Sequence, residues 1–222
     1  YDYLARNGKT VFINGDNPHL KEMAANRHVG KMFRYGTDPS FECYGELVEE
    51  QPFLHVRWSC GTNRGEIRSQ LVGAYNFENI LSAVAVGNHF GVDPAAIDEA
   101  VSGYAPDNSR SQLLRRGTNT VVLDAYNANP TSMEAALRNF SAMHGKKKVV
   151  CIGDMAELGE ESGREHEHIA SIVASGAFSA VILVGKNFGR LASGLDCIHF
   201  EDSAKAAEWV SQHPFSDALV LI

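Results

Sequence analysis

The run Asp124-Ala125-Tyr126-Asn127-Ala128-Asn129-Pro130 gathers an acid, a phenol and two amides directly behind the apolar Val121-Val122-Leu123. The apolar run reads as a strand, and Pro130 suits the first turn of a following helix. Ligands of an open parallel sheet bind in the crevice outside the carboxyl ends of its strands, where an acid such as Asp124 accepts hydrogen bonds from a ribose. A polar strand-to-helix loop, with Asn129 or Thr131 as cap, accounts for the same residues equally well. The next apolar run, Val149-Val150-Cys151-Ile152, ends in Gly153-Asp154-Met155-Ala156-Glu157-Leu158-Gly159. Adjacent strand ends put Asp124 and Asp154 on one rim of the sheet. Paired carboxylates suit a metal or an amine, but two solvated loop acids are the simpler account.

Other candidates are less pointed. Gly73-Ala74-Tyr75-Asn76-Phe77-Glu78-Asn79 lies between a strand and a long helix. Asn76 is placed to cap that helix, with Asn79 three residues on, near the same face. Their amides match a purine edge, although a cap plus a surface amide is the simpler reading. Arg110 stands between two differently patterned halves of the chain, where it is either a phosphate clamp or a surface charge. Gly8-Lys9-Thr10 is not a phosphate loop: the G-x-x-x-x-G-K-[ST] pattern needs a glycine where Tyr3 stands, and its strand must come first. Glu165-His166-Glu167-His168 spaces its histidines i, i+2, which puts them on different faces of a helix and disfavours a metal site. No metal ligands are expected in the chain.

Two kinds of element must position these groups. Short extended runs at Thr10–Asn14, Lys31–Tyr35, Glu42–Val48, Phe53–Trp58 and Gly65–Leu71 fill the first half, the last three reading as an antiparallel meander. Helices are expected over His19–Ala25, Asn76 to about Phe90, and Pro94–Ser102. Tyr104-Ala105-Pro106-Asp107-Asn108-Ser109 is the best boundary, giving domains of 1–106 and 107–222. Beyond it, apolar runs alternate with helix-length segments: Val121–Leu123, Val149–Ile152, Ala180–Val184, Cys197–Phe200 and Ala218–Ile222, with helices over Thr131–Met143, Ser162–Ser175 and Ser203–His213. That alternation makes an α/β domain with a mostly parallel sheet.

Composition narrows the classes further. The net charge of −7, with no basic run longer than Lys146-Lys147-Lys148, argues against nucleic acid and membrane surfaces as partners. No apolar stretch approaches the ~18–20 residues of a membrane span. Cys43, Cys60, Cys151 and Cys197 lie far apart with no C-x-x-C pair, and four such cysteines read as reduced thiols of a cytosolic protein. A dehydrogenase-type domain would want G-x-G-x-x-G after a strand, which is missing.

Taken together, Gly73–Asn79, Asn108-Ser109-Arg110-Ser111-Gln112, Asp124–Pro130 and Gly153–Gly159 resemble the Mur ligases in order and context. D-x-Y-N-A-N-P and G-D-M-x-E-L-G are similar to the branch that adds D-alanyl-D-alanine to UDP-N-acetylmuramoyl-tripeptide. The diamino-acid-adding branch carries D-Y-A-H-T-P and D-N-P-R instead, and folylpolyglutamate synthases D-G-A-H-N. The resemblance implies the C-terminal part of a central ATP-binding domain over 1–106, then a Rossmann-like ligase domain over 107–222. It implies a cytoplasmic, monomeric enzyme of peptidoglycan synthesis. ATP, with Mg2+, would activate the tripeptide carboxylate as an acyl phosphate that the amine of D-Ala-D-Ala attacks. Another Mur-type ligase, or a non-catalytic nucleotide-binding module, is the alternative.

By the same resemblance, Asn79 contacts adenine with Asn76 close by, and Arg110 approaches the ATP phosphates on domain closure. Asp124 holds the ribose, while Tyr126, Asn127 and Asn129 are second-rank contacts to nucleotide or incoming amine. The phosphate loop, the magnesium ligands and a carbamylated lysine would lie upstream of Tyr1, and a K-G-S-R-like segment beyond Ile222. The chain alone is therefore expected to be inactive.

Overall fold

The computed structural model describes residues 2–27, 30–107 and 109–222. Tyr1 and Asn108, the latter in the run around Arg110, lie outside the described residues. The chain divides into two compact units, Tyr1–Ala105 and Pro106–Ile222.

The first unit runs α1 (Asp2–Arg6), β1 (Thr10–Asn14), α2 (Pro18–Ala25), β2 (Lys31–Gly36), β3 (Cys43–Glu49), β4 (His55–Cys60), β5 (Asn63–Arg68), α3 (Asn76–His89) and α4 (Pro94–Gly103). Its five strands lie in chain order, with β1, β2 and β3 parallel and β3, β4 and β5 antiparallel. Asn17 starts α2 by accepting from the backbone N–H groups of His19 and Leu20, and Pro18 occupies the first turn. Trp58, Leu54, Val56 and Ile67 form the core with Ile80, Leu81 and Val84 of α3. The indole N–H of Trp58 donates to Asp98 at 2.6 Å, and the same carboxylate accepts from the Glu66 N–H at 3.1 Å, tying α4 to β5. A Cβ on Gly65 would lie 2.4 Å from that carboxylate, so only glycine admits the approach.

Here the structure departs from the expected four reduced thiols. Cys43 and Cys60 are joined by a disulfide, leaving Cys151 and Cys197 free. The two half-cystines face each other in register across β3 and β4, a pairing that their separation of 17 in sequence does not announce.

The second unit runs β6 (Gln112–Arg116), β7 (Asn119–Leu123), α5 (Pro130–Ala142), β8 (Lys148–Gly153), α6 (Ser162–Ser175), β9 (Ala180–Val184), α7 (Lys186–Gly189), β10 (Ile198–Phe200), α8 (Ser203–Gln212) and β11 (Leu219–Leu221). The sheet order is β10-β9-β8-β11-β7-β6, parallel throughout except for the β6–β7 hairpin. The sequence reading leaves β6 unassigned. It is a partly exposed edge strand ending in Arg115-Arg116, without the clean alternation that announces a strand, and such charges discourage edge pairing. Met133, Leu137 and Phe140 on α5, and Ile169, Ala170 and Val173 on α6, repeat at helical spacing and are buried, as are Val149, Val150 and Ile152 of β8.

Leu137 is fully buried. Leu137→Ala should lower the stability of this unit by about 2–5 kcal/mol, transfer and cavity terms combined. Hydrogen exchange of the β8 amides reads that loss in this unit alone, and a change under about 1 kcal/mol would show that α5 is loosely packed.

Candidate functional site

The carboxyl ends of β7, β11, β8 and β9 meet at one rim of the second unit. The Asp124 N–H donates to the Ile222 carbonyl at 2.7 Å, carrying the β7–β11 ladder one residue beyond both strands. The Asp124 carboxylate accepts from the Ser111 N–H at 3.1 Å, and the Ala125 N–H donates to the Ser109 carbonyl at 2.8 Å. Residues 109–111 are thereby fastened across the end of β7. Ser109 and Ser111 both adopt left-handed backbone, at φ 59° and 50°, which few non-glycine residues do. Between them, the guanidinium carbon of Arg110 lies 3.8 Å from the centre of the Tyr126 ring.

The two amides of this loop do different things. Asn129 caps α5: its side chain accepts from the Ser132 N–H at 3.0 Å, and the Ser132 hydroxyl accepts from the Asn129 N–H at 3.3 Å. The capping alternative thus describes the Asn129 side-chain oxygen. Asn127 is exposed and lines a cavity of about 280 Å³ together with Asp124, Met133, Cys151, Ile152, Val184 and Leu221. Burial pushes the Cys151 thiol above its ordinary value, and burial with the nearby Asp196 charge does the same for Cys197.

Asp154 stands at the equivalent position of β8 and is committed elsewhere. Its carboxylate accepts from the N–H groups of Asn187 at 2.9 Å and Phe188 at 3.0 Å, at the start of α7. A Cβ on Gly185 would fall 2.3 Å from the Asp154 carboxyl carbon, and Gly185 itself sits at φ 113°. His166 is buried behind this loop: Nε2 accepts from the Met155 N–H at 3.0 Å, and Nδ1 donates to the Ser162 carbonyl at 2.6 Å. His168 faces elsewhere, bonded to Glu134 at 2.9 Å, as the i, i+2 spacing requires. Hydrogen bonds from His168 and Arg138 hold the Glu134 carboxyl below its ordinary range. Among the described residues, no group of three or more His, Cys, Asp or Glu could hold a metal ion.

In the first unit, Asn76 does not cap α3. The cap position falls on Tyr75, whose side chain makes no capping hydrogen bond, and Asn76 is buried one position into the helix. Its side-chain N–H donates back to the Val72 carbonyl at 2.8 Å, and its side-chain oxygen accepts from Asn79 at 3.0 Å. The exposed Asn79 amide is therefore oriented by a buried one. The left-handed Gly73, at φ 94°, is what turns the chain into the helix early enough to bring Asn76 inside.

Sequence reasoning did not single out Ser109 and Ser111, because serine carries no signal for positive φ, nor Met133 and Cys151, whose apolar character reads only as core.

The family model described as "Mur ligase, glutamate ligase domain" matches residues 109–222, the whole of this rim and its sheet. The chain belongs to the Mur ligase family. A UDP-N-acetylmuramoyl-tripeptide--D-alanyl-D-alanine ligase from Bacillus subtilis (strain 168) is 32% identical over 133 residues, covering 59% of this chain and 29% of that protein. Among solved structures, MurF from Acinetobacter baumannii superposes with a TM-score of 0.78 at 21% identity, over 96% of this chain and 48% of that one. MurF ligase from Thermotoga maritima in complex with ADP gives 0.76 at 16% identity, over 96% and 49%. These structures share the fold. The chain spans about half the length of those solved Mur ligases and under a third of the Bacillus relative.

The raised Cys151 and Cys197 thiols carry little thiolate near neutrality. Timed iodoacetamide labelling followed by mass spectrometry should find both slower than an unhindered peptide thiol at about pH 8.5, with rates that climb at higher pH. Labelling as fast as the free thiol would contradict the burial assigned to Cys151.

Proposed function

We propose that this chain is part of an ATP-dependent ligase that joins D-Ala-D-Ala to UDP-N-acetylmuramoyl-tripeptide through an acyl phosphate, in the cytoplasmic stage of peptidoglycan synthesis. The observation that carries the reading is the pair of runs, D-A-Y-N-A-N-P and G-D-M-A-E-L-G, at the ends of β7 and β8, which β11 separates instead of the adjacency expected from sequence, in a sheet that the Mur ligase model spans. The names of the curated relatives support the choice of amine and acceptor.

The chemistry is amide formation from a carboxylate that is a poor electrophile. Transfer of the ATP γ-phosphoryl group to the carboxylate gives an acyl phosphate and ADP. The dipeptide amine adds to the acyl carbon, and the tetrahedral adduct expels phosphate as the amine loses its proton. Such a sequence needs cationic groups where phosphoryl charge develops and a site that keeps water from the acyl phosphate.

This chain's residues take separable parts in that scheme. Arg110 offers a guanidinium fork for phosphoryl oxygens. The Asp124 carboxylate serves the ribose hydroxyls while its Ser111 contact fixes its rotamer. Asn79, steadied by Asn76, presents donor and acceptor groups to the adenine edge. Tyr126 stands beside Arg110 in the second unit. With the Asn129 oxygen engaged in its cap, Asn127 on the apolar cavity is the better placed amide for the incoming dipeptide. Magnesium, when bound, would supply positive charge to the phosphoryl transfer, and among the described residues no group of three or more His, Cys, Asp or Glu could hold it.

The protein carrying this chain at full length, assayed with UDP-muramoyl-tripeptide, D-Ala-D-Ala and ATP, should release ADP and phosphate in step with the amide. ATP turnover that depends on a different amine would refute the assignment. In that protein Arg110→Ala should lower kcat by about 10²–10³ with little change in the ATP KM, the signature of a contact made in the reacting state. Unchanged kcat with a raised KM would make Arg110 a ground-state binding residue.

The 222-residue chain itself contains no G-x-x-x-x-G-K-[ST] loop to wrap phosphates. Titration with Mg-ATP in a calorimeter should therefore give weak or undetectable binding, and no phosphate release. Tight binding would place the nucleotide site wholly within these residues.

A further inference from the structure

Arg110 is seated on a ring face. Arg34 and Arg138 on this molecule rest against carboxylates, bonded to Glu42 and Glu134. Among the described residues no carboxylate forms an ion pair with Arg110; its guanidinium rests on the face of Tyr126 at 3.8 Å. An arginine that must meet an anion is poorly served by a carboxylate, which would compete for the same N–H donors and cancel the charge. A ring face attracts the cation through its quadrupole and leaves the in-plane N–H donors for another acceptor.

The backbone supports the same arrangement. The residues on either side of Arg110 are both left-handed, Ser109 at φ 59° and Ser111 at φ 50°. Such conformations persist only where surrounding contacts over-determine them. Those contacts are the Ala125 N–H on the Ser109 carbonyl, the Ser111 N–H on Asp124, and the Ser109 N–H on the Gln112 side chain. The arginine is thus set from below by an aromatic ring and from both sides by a strained, bonded turn. Tyr126 is more than half exposed, at 59%, so its ring is not explained by core packing.

We infer that Tyr126 is a positioning residue: its ring holds the Arg110 guanidinium ready for a phosphoryl group. This rests on the ligase reading above, and it gives Tyr126 a role through Arg110 in place of direct contact with nucleotide or amine. Orientation fixed before reaction reduces the reorganisation needed when charge develops.

Two measurements test it. In the 222-residue chain, the Arg110 side-chain protons should show upfield ring-current shifts by NMR, lost in Tyr126→Leu and kept in Tyr126→Phe. Random-coil positions in the unsubstituted chain would overturn the inference whatever the enzyme does. In the full-length protein, Tyr126→Leu should lower kcat about two- to fivefold, the worth of an exposed cation–π contact, with the ATP KM unchanged. Tyr126→Phe should rescue that loss, and Tyr126→Leu should cost nothing further once Arg110 is alanine, because the two act as one unit. A Tyr126→Phe variant as slow as Tyr126→Leu, an effect confined to the ATP KM, or full additivity with Arg110→Ala would each overturn the inference. A full-length protein that forms no D-Ala-D-Ala amide would instead sink the ligase reading, while the NMR shifts would still decide whether the ring seats the arginine.

Discussion

The short strand β11 is the constraint on which the second unit turns. Its three residues, Leu219, Val220 and Leu221, are all buried and are paired on both sides, with β7 through Thr120–Val122 and with β8 through Lys148–Val150. A parallel sheet can be buried in this way only if every strand finds its ladder partners, since unpaired backbone groups inside a protein are costly. Because β11 stands between β7 and β8, it sets the spacing of the two strand ends that carry Asp124 and Asp154. Its own end continues that ladder through the Ile222 carbonyl to the Asp124 N–H. The site therefore inherits its geometry from a strand that contributes almost no polar side chain to it.

Within that frame, two aspartates of identical type and equivalent position diverge. Asp154 satisfies the first N–H groups of α7, a task that a glycine at 185 makes possible by clearing the space a Cβ would fill. Asp124 fastens the turn at Ser109–Ser111 to the sheet. One builds the fold and the other joins the fold to the arginine. The same division holds for the amides: Asn129 closes a capping box and Asn127 lines the cavity.

Most elements were legible because periodicity follows burial. Val149–Ile152 and Ala180–Val184 are apolar without interruption because both faces of a parallel sheet are covered, and α5 and α6 carry their buried stripes at i, i+3, i+4 and i+7. What escaped was set by tertiary pairing. β6 is an edge strand whose partner supplies its order, and the Cys43–Cys60 bond reflects the register of β3 on β4. Asn76 has the composition of a helix cap, but the turn at Gly73 draws it one position inside, so that it bonds Val72 and orients Asn79. The D-A-Y-N-A-N-P run announced a polar strand end. That its tyrosine lies beneath Arg110 follows from the backbone of two serines, and side-chain type says nothing about that.

β11 also has a meaning in time. It follows the other five strands of its sheet in sequence, yet its place is in the middle: Ala218 and Asn119, 99 residues apart, are hydrogen-bonded at its entrance. The β6–β7 hairpin and the β8–β9 pair form from nearer residues, but β7 and β8 can be bridged only after nearly the whole unit has been drawn together. Loop closure of that span is an entropic cost incurred before its contacts form, and such topologies fold slowly. The inner edges of β7 and β8 are completed only by Leu219–Leu221, so the rim that bears Asp124 depends on the strand of its sheet that comes latest in sequence.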